Sequence, residues 1–195
     1  MDLTPLRWLQ VWVELEGNAQ VDCDPRPGRV VIVGPGHTFL QLAETIDDAF
    51  ARWDLAHLHA FALPDGRMVG LPDTGPPLGE APRWLDHRAI EVLAAVGPGD
   101  RFTYTFDLTE RWRHECRVLE ETIDPLSIFG ERPMRPAIAF GWGSIPDQYG
   151  RTESRGLPQN SETSLEALVQ LLMEPVGRQA RREASKAISP RSSSS

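Results

Sequence analysis

Three histidines and one aspartate are the side chains of this sequence that could hold a metal ion. His57 and His59 stand two residues apart, so on a β-strand both imidazoles would point to the same side. Two such rings can bind one divalent cation at about 2.0–2.1 Å, with His114 or Asp107 as a third ligand. The chemistry would be metal-assisted hydrolysis, because the cation lowers the pKa of a bound water. The alternative is a structural network in which the imidazoles hydrogen-bond backbone or carboxylate groups.

The segments around these residues are rich in aromatic side chains. Rings can form a stacking platform for a ligand or for nucleic-acid bases, but each ring also buries a large apolar area when it lies in a core. We expect the second role, in a structural aromatic cluster. Its members would be Trp53, Phe61, Phe102, Tyr104, Phe106 and Trp112.

Periodicity in the first half of the chain predicts strands on either side of one helix. Arg7–Glu16 alternates apolar and polar side chains, which is typical of a half-buried strand, and Val30–Val33 is a short β-branched strand. Thr38–Phe50 opens with the spacing of a capping box and continues with apolar residues at helical intervals, so it predicts the main helix. His57–Leu63 and Met68–Leu71 predict two short strands joined by a turn.

The second half of the chain predicts a hairpin between less regular segments. A short helix capped by its first residue is expected over Asp86–Val96. Arg101–Asp107 and Arg111–Glu120 alternate like the two strands of a hairpin. Residues 122–160 are rich in proline and glycine and predict long loops around one short apolar piece, and a second capping box at Thr163 predicts a last helix.

These elements are mixed rather than strictly alternating, which favours an α+β fold. We expect a mixed, mostly antiparallel sheet packed with a main helix and one or two smaller helices. Residues 1–175 would form this single domain, and residues 176–195 would be a basic, serine-rich flexible tail. A grasp-like sheet wrapped around one helix is an alternative within the same class.

Charge is unevenly distributed along the chain, whose net charge is −8. Residues 176–195 carry a net charge of +4, which leaves −12 for the rest. An acidic body repels the phosphate backbone, so nucleic acid is expected only at the tail.

No apolar run reaches the roughly 18 residues that a membrane helix needs. Two cysteines are too few for a disulfide framework and no secretory signal is apparent, so we expect a cytoplasmic protein without a membrane span.

Two segments of the chain resemble the plasmid pRi ORF-three-like family. Trp53 followed by His57-Leu58-His59-Ala60-Phe61 looks like that family's Trp-x3-His-Leu-His-x-Phe segment. Phe102-x-Tyr104-x-Phe106-Asp107 and Trp112-x-His114-Glu115 look like its second segment. The resemblance covers roughly residues 7–150. It implies an association with plasmids and with passenger genes of insertion elements, and it implies no established activity.

The chain departs from the family pattern at two places. The usual Asp-Phe-Gly-Asp turn is Asp107-Leu108-Thr109-Glu110 here, and because Thr109 replaces a glycine we expect no positive φ at that residue. The later Pro-Pro-Glu-Asp-Cys-Gly-Gly segment is reduced to Ile145-Pro146-Asp147-Gln148-Tyr149-Gly150, which lacks the cysteine and one acid.

No complete catalytic set is apparent, so a non-enzymatic interaction or accessory module associated with mobile genetic elements is the expected function. Such a module would bind a protein partner and would need no cofactor. The alternative is a hydrolase that uses a divalent metal at the His-x-His pair. A weaker alternative is a nucleic-acid-associated accessory protein that acts through its basic tail. An enzyme requires the four metal-binding candidates to meet in a cleft, whereas an interaction module requires an exposed apolar patch.

Overall fold

Eight strands form one sheet in the computed structural model of this chain, which describes residues 7–72 and 84–149. The strands are β1 (Leu9–Gly17), β2 (Gly28–Val33), β3 (His59–Ala62), β4 (Met68–Gly70), β5 (Trp84–Asp86), β6 (Arg101–Phe106), β7 (Trp112–Val118) and β8 (Ala137–Trp142). The helices are α1 (Phe39–Ala49), α2 (Val92–Ala95) and α3 (Leu126–Phe129). Within these ranges, no helix is long and apolar enough to cross a membrane.

The sheet is mixed and mostly antiparallel, as the sequence predicts. Its strand order is β5-β4-β3-β6-β7-β1-β2-β8. Neighbouring strands are antiparallel except for β4 and β5, which are parallel. Together with one long and two short helices, this arrangement is an α+β fold.

Strand β1 lies inside the sheet, between β7 and β2. Trp8, just before β1, packs with Val30 and Ile32 of β2, and partly buried residues of α3 and β8 complete this cluster. The prediction of a half-buried strand is confirmed from Val11 to Glu16, where buried side chains alternate with partly exposed ones, and on this face only Trp8 and Gln10 are buried. The other face belongs to the main core through Leu9, Val11, Val13 and Leu15.

Helix α1 begins where the sequence predicts it. The Thr38 hydroxyl accepts a hydrogen bond from the Gln41 backbone N–H at 3.3 Å, and the Gln41 side chain accepts one from the Thr38 N–H at 3.0 Å. Glu44 and Asp48 are exposed on the polar side of the helix. The apolar side is buried in the main core through Phe39, Leu42, Ala43, Ile46 and Ala49.

Strands β6 and β7 form the predicted hairpin. Tyr104 lies opposite His114 and Phe106 lies opposite Trp112, so these four side chains share one face of the sheet. On its other edge β6 pairs with β3, where Phe106 lies opposite His59. This pairing brings the start of β3 beside the turn between β6 and β7.

The predicted helix over Asp86–Val96 is largely wrong. Trp84–Asp86 forms β5, which pairs in parallel with β4, and α2 is limited to Val92–Ala95. The Asp86 carboxylate does not cap a helix, because it accepts the Arg88 backbone N–H at 2.9 Å within a turn. Pairing at the sheet edge therefore overrides the local helical spacing.

The region predicted as long loops, residues 122–160, contains α3 and β8. Strand β8 extends the short apolar piece to Trp142 and pairs with β2 at the edge of the sheet. The last helix predicted from Thr163 and the predicted tail at 176–195 lie outside the described residues.

Thr38→Ala should lower the free energy of unfolding by about 1 kcal/mol, because it removes the side-chain acceptor of the capping box. Thr38→Ser keeps a hydroxyl and is the matched control, expected to stay within about 0.5 kcal/mol of the parent. Urea denaturation of the full chain measures both changes. Equal stability of the alanine variant and the parent would contradict a contribution of this cap.

Candidate functional site

A cavity of about 260 Å³ lies beside α1, where the helix faces the loop before β3 and the residues that follow β4 and β5. Its wall combines apolar side chains with titratable ones. Such a concentration of ionisable groups in a concave site marks a candidate functional site. Six lining residues carry carboxyl or imidazole groups: Glu44, Asp47, Asp48, His57, His59 and His87.

Both ring nitrogens of His57 have a polar partner. Its Nδ1 lies 3.1 Å from Oδ2 of Asp107, and its Nε2 lies 2.9 Å from the hydroxyl of Tyr149. That hydroxyl donates a hydrogen bond to Oδ2 of Asp54 at 2.9 Å, and this bond is the main reason why the pKa of Asp54 is lowered. An imidazole oriented by a buried carboxylate and in contact with a hydroxyl can transfer protons, so this chain of groups is suited to acid–base chemistry.

Asp107 can orient His57 because the turn between β6 and β7 holds its carboxylate in place. Oδ1 accepts the backbone N–H groups of Thr109 at 2.9 Å and Glu110 at 3.2 Å, which leaves Oδ2 for His57. The backbone of Asp107 has a φ of +54°, a left-handed conformation that aspartate tolerates better than most residues. The absence of a positive φ at Thr109, expected from its replacement of a family glycine, is confirmed.

His59 forms a pair with His87 instead of with His57. Nε2 of His59 lies 2.8 Å from Nδ1 of His87. Burial lowers the pKa of His59 to about 4, with a smaller effect of His87, and burial is also the main cause of the lowered pKa of His87. His59 is therefore neutral at neutral pH. Sequence reasoning missed His87, because it follows a segment without periodicity and lies 28 positions from its partner.

A buried polar cluster adjoins the cavity, and two of its members, Asp47 and Arg52, form part of the cavity wall. Asp47 accepts the Tyr104 hydroxyl at 2.7 Å, and burial raises the pKa of Asp47 to about 7 despite this bond. The Arg52 guanidinium carbon lies 4.3 Å from the centre of the Trp112 ring. Burial lowers the pKa of Arg52 to about 10, and none of its guanidinium nitrogens has a hydrogen-bond partner within residues 7–72 and 84–149. A buried charge without hydrogen bonds is costly, so the ring faces replace only part of its lost hydration.

His114 does not reach the cavity. It is fully buried, between the rings of Phe50 and Tyr104 at centroid distances of 4.7 and 5.4 Å. Burial lowers its pKa to about 3, and Arg52 lowers it further. Backbone groups of Tyr104 and Trp112 weakly oppose this shift, but neither ring nitrogen meets a partner with hydrogen-bonding geometry.

The four metal-ligand candidates from the sequence therefore do not converge on one point. His57 and Asp107 form one pair, His59 is paired with His87, and His114 lies in the core. In the part of the chain that the structure describes, no group of three or more His, Cys, Asp or Glu side chains is arranged to hold a metal ion. Metal binding by this protein stays a prediction.

Five of the six predicted aromatic-cluster residues are buried together. Phe61 and Tyr104 lie 4.6 Å apart between ring centres, and Phe102, Phe106 and Trp112 are also at most 4% exposed. Trp53 is the exception, with 52% of its surface exposed. It lies in the loop between α1 and β3, outside any strand, and packs edge-on against Tyr149.

Comparison with known proteins identifies a family for this chain. The family model of the plasmid pRiA4b ORF-3-like protein matches residues 9–137, and the chain belongs to this family. Among solved structures, the chain is similar to the protein of unknown function MM3350 from Methanosarcina mazei Go1. The two share 20% sequence identity at a TM-score of 0.49, over 71% of this chain and 70% of that one. No curated protein matches the chain.

His114→Leu should reduce the loss of stability in mild acid. His114 stays neutral in the folded chain down to its lowered pKa of about 3, whereas in the unfolded chain it takes up a proton near pH 6.5. Between these pH values the unfolded state binds more protons than the folded state. The free energy of unfolding therefore falls by about 1.4 kcal/mol for each unit by which the pH is lowered. Urea unfolding of parent and variant between about pH 7 and pH 4 measures the difference in slope.

Comparing the parent with His114→Leu isolates the effect of His114 on the pH dependence of stability. The comparison is needed because Asp47, present in both proteins, changes stability with pH in the opposite direction. The pKa of Asp47 is raised from 3.8 to about 7, so the folded state binds more protons than the unfolded state between these values. The stability contributed by Asp47 is therefore complete below pH 3.8 and is lost as the pH rises towards 7. Identical pH slopes for the parent and His114→Leu would contradict a neutral, buried His114.

Proposed function

We propose that this chain is a cytoplasmic, non-enzymatic interaction module of mobile genetic elements, and that it binds a protein partner at the mouth of the cavity. The supporting observation is an exposed apolar rim, which we define as Trp53, Leu55, Leu58 and Tyr149. The exposed fraction of each of these side chains lies between 42% and 62%. Clustered apolar side chains at a surface favour a role in binding.

The rim is continuous with the cavity. Leu55 and Leu58 line the cavity as well as facing solvent. The Tyr149 ring lies 5.2 Å from the Trp53 ring and 6.4 Å from the His57 ring, between centroids. An apolar rim around a polar cavity can bury a partner side chain and fix its orientation through hydrogen bonds.

The charges near the rim indicate the chemistry of the partner. Glu44 and Asp48 line the cavity from α1, and Asp54 lies beside Tyr149. The chain outside residues 176–195 has a net charge of −12, so its field attracts positive groups. We propose that the partner presents an apolar side chain next to a lysine or arginine. The apolar side chain would contact the rim, and the cation would face these carboxylates.

Family membership supports the association with mobile elements, because the family takes its name from a plasmid protein. The location in a reducing compartment is supported by Cys23 and Cys116, which are both buried and free of disulfides. Binding of nucleic acid through residues 176–195 stays a prediction, because those residues lie outside the described part of the chain.

A hydrolase is the second candidate function, and one observation favours it. Asp107 and Tyr149 hold the two nitrogens of His57 at the wall of the cavity, and Nε2 could take a proton from a water that displaces the Tyr149 hydroxyl. A panel of ester and phosphoester substrates tests this candidate. Turnover that disappears in His57→Gln supports it, and no turnover by the parent on any of them counts against it.

Leu58→Asp should weaken partner binding about tenfold or more, because burial of a leucine side chain contributes about 1.5–3 kcal/mol. A random peptide library is first selected on the purified full-length parent. Affinities of the selected peptides are then measured by fluorescence polarisation. The peptides should combine an apolar residue with Lys or Arg, and their affinity should fall as salt is added.

Met134→Asp is the matched control, because Met134 is 91% exposed and belongs neither to the rim nor to the cavity wall. The same peptides should bind this variant as they bind the parent. Peptides that bind Leu58→Asp with parental affinity, or a selection that yields acidic peptides, would contradict the proposed partner chemistry.

A further inference from the structure

The cavity contains a buried carboxylate that has a partner for only one of its oxygens. Asp47 lines the cavity, although only 5% of its surface is exposed. Its Oδ1 accepts the Tyr104 hydroxyl at 2.7 Å, and this is the one side-chain hydrogen bond that Asp47 makes within the described residues. Oδ2 has no such partner and is not enclosed by protein atoms. The cavity therefore offers a carboxylate oxygen that still lacks a donor.

The buried Arg52 does not supply that donor. None of its guanidinium nitrogens makes a hydrogen bond within residues 7–72 and 84–149, and the guanidinium carbon lies 4.3 Å from the centre of the Trp112 ring. Burial raises the pKa of Asp47 to about 7; Tyr104 and Arg52 oppose this rise, and Glu44 adds to it. A bound cation at Oδ2 would favour the ionised form that burial disfavours.

The end of α1 adds negative charge around Asp47. Asp47 and Asp48 lie in the last turn of the helix, which contains no basic residue. Backbone carbonyls already make a helix C-terminus negative, so a cation is favoured there and carboxylates are disfavoured. Asp48 is exposed at the cavity wall, and its carboxylate has no partner in the part of the chain that the structure describes. Residues that break a local preference in this way are often functional.

Leucines form the apolar part of the cavity wall. Leu55 and Leu58 are 62% and 42% exposed at the mouth, whereas Asp47 is buried. A group that enters from the rim therefore meets apolar side chains first and the carboxylate farther in. A lysine side chain has the same order, because an apolar methylene stem ends in an ammonium group. The leucines of the wall are Leu40, Leu55, Leu58 and Leu71.

The single free oxygen of Asp47 favours an ammonium over a guanidinium group. A guanidinium group binds a carboxylate best through two parallel N–H···O bonds, which need both oxygens. Tyr104 already occupies Oδ1. An ammonium group is a compact charge with three donors, so it can use Oδ2 alone and direct its other donors to Asp48 or to water.

We propose that the cavity binds a lysine side chain, with its ammonium group at Oδ2 of Asp47 and its methylene stem between the leucines. The lysine site rests on the proposed function, because the protein partner supplies the lysine. It narrows the partner's cation from lysine or arginine to lysine. It also assigns a binding role to Asp47, which lies deeper than the rim.

The first test needs no partner. Full-length protein labelled with ¹⁵N is titrated with Nα-acetyl-lysine methylamide, and NMR follows the amide signals of Asp47, Asp48 and Leu58. The parent should bind with a Kd on the order of 1 mM. The arginine analogue should bind at least about fivefold more weakly, because only one oxygen is free. The norleucine analogue, which keeps the stem but lacks the charge, should leave these signals unchanged.

Asp47→Asn should weaken binding of the lysine analogue about tenfold or more, because it removes the charge and keeps an oxygen for Tyr104. Glu131→Gln is the matched control, because it loses the same charge at an exposed position outside the cavity wall, and it should keep the parental affinity. The parent should also lose about tenfold in affinity from pH 8 to pH 6, as Asp47 takes up a proton. This loss should be smaller in Asp47→Asn.

Three results would each overturn the lysine site: no binding of the lysine analogue at about 20 mM, equal binding of the lysine and arginine analogues, or parental affinity in a folded Asp47→Asn. The selected peptides separate this site from the proposed function. A peptide that loses affinity for Leu58→Asp, but keeps affinity for the parent when its lysine is replaced by arginine, supports the rim and overturns the lysine site. A selection without any peptide counts against the rim, whereas binding of the lysine analogue would still support the site.

Discussion

The apolar side of α1 packs on one face of the sheet, and the position of every group at the cavity depends on this contact. Phe39 of the helix meets Phe61 of β3 and Phe102 of β6 at ring distances of 4.9 and 6.4 Å. Each fully buried side chain of this size contributes about 1.5–3 kcal/mol. Because one side of the helix is fixed on the core, Glu44 and Asp48 on its other side can only face the cavity and solvent.

The polar groups buried at the cavity wall reduce the stability of the fold. Asp47, Tyr104 and Arg52 are buried together, and Arg52 has ring faces in place of hydrogen bonds within the described residues. A core built only from apolar groups would be at least as stable. Tyr104 of this cluster also lies 5.8 Å from the His59 ring between centroids, in a partly buried region where interactions with a bound group are stronger than in water. Replacing these residues by apolar ones would therefore favour stability, whereas keeping them favours binding.

Much of the fold could be predicted from the sequence, because its signals are local. The capping box at Thr38 and the alternation in the β6–β7 hairpin act within a few residues, and both are present in the structure. Strand β5 could not be predicted in the same way. Its pairing with β4 depends on a partner about 16 positions away, and its own side chains do not alternate in burial.

The site was harder to predict than the fold, for a geometric reason. The spacing of His57 and His59 places them on one strand only if that strand begins at His57, but β3 begins at His59. His57 therefore turns to Asp107 and Tyr149, while His59 meets His87. The aromatic cluster was predicted better, because ring burial follows from strand alternation, and Trp53 departs from it because it lies outside any strand.

The position of β1 also affects how the chain can acquire its structure during synthesis. Strand β1 is made first, yet one of its two neighbours, β7, spans Trp112–Val118. At about 5–20 residues per second, a ribosome needs several seconds to supply that neighbour. Until then the β1–β2 hairpin has an unpaired edge rich in valine, a segment of the kind that chaperones bind and that aggregates when left exposed. The middle of the sheet is therefore completed late in translation, when β7 becomes available to pair with β1.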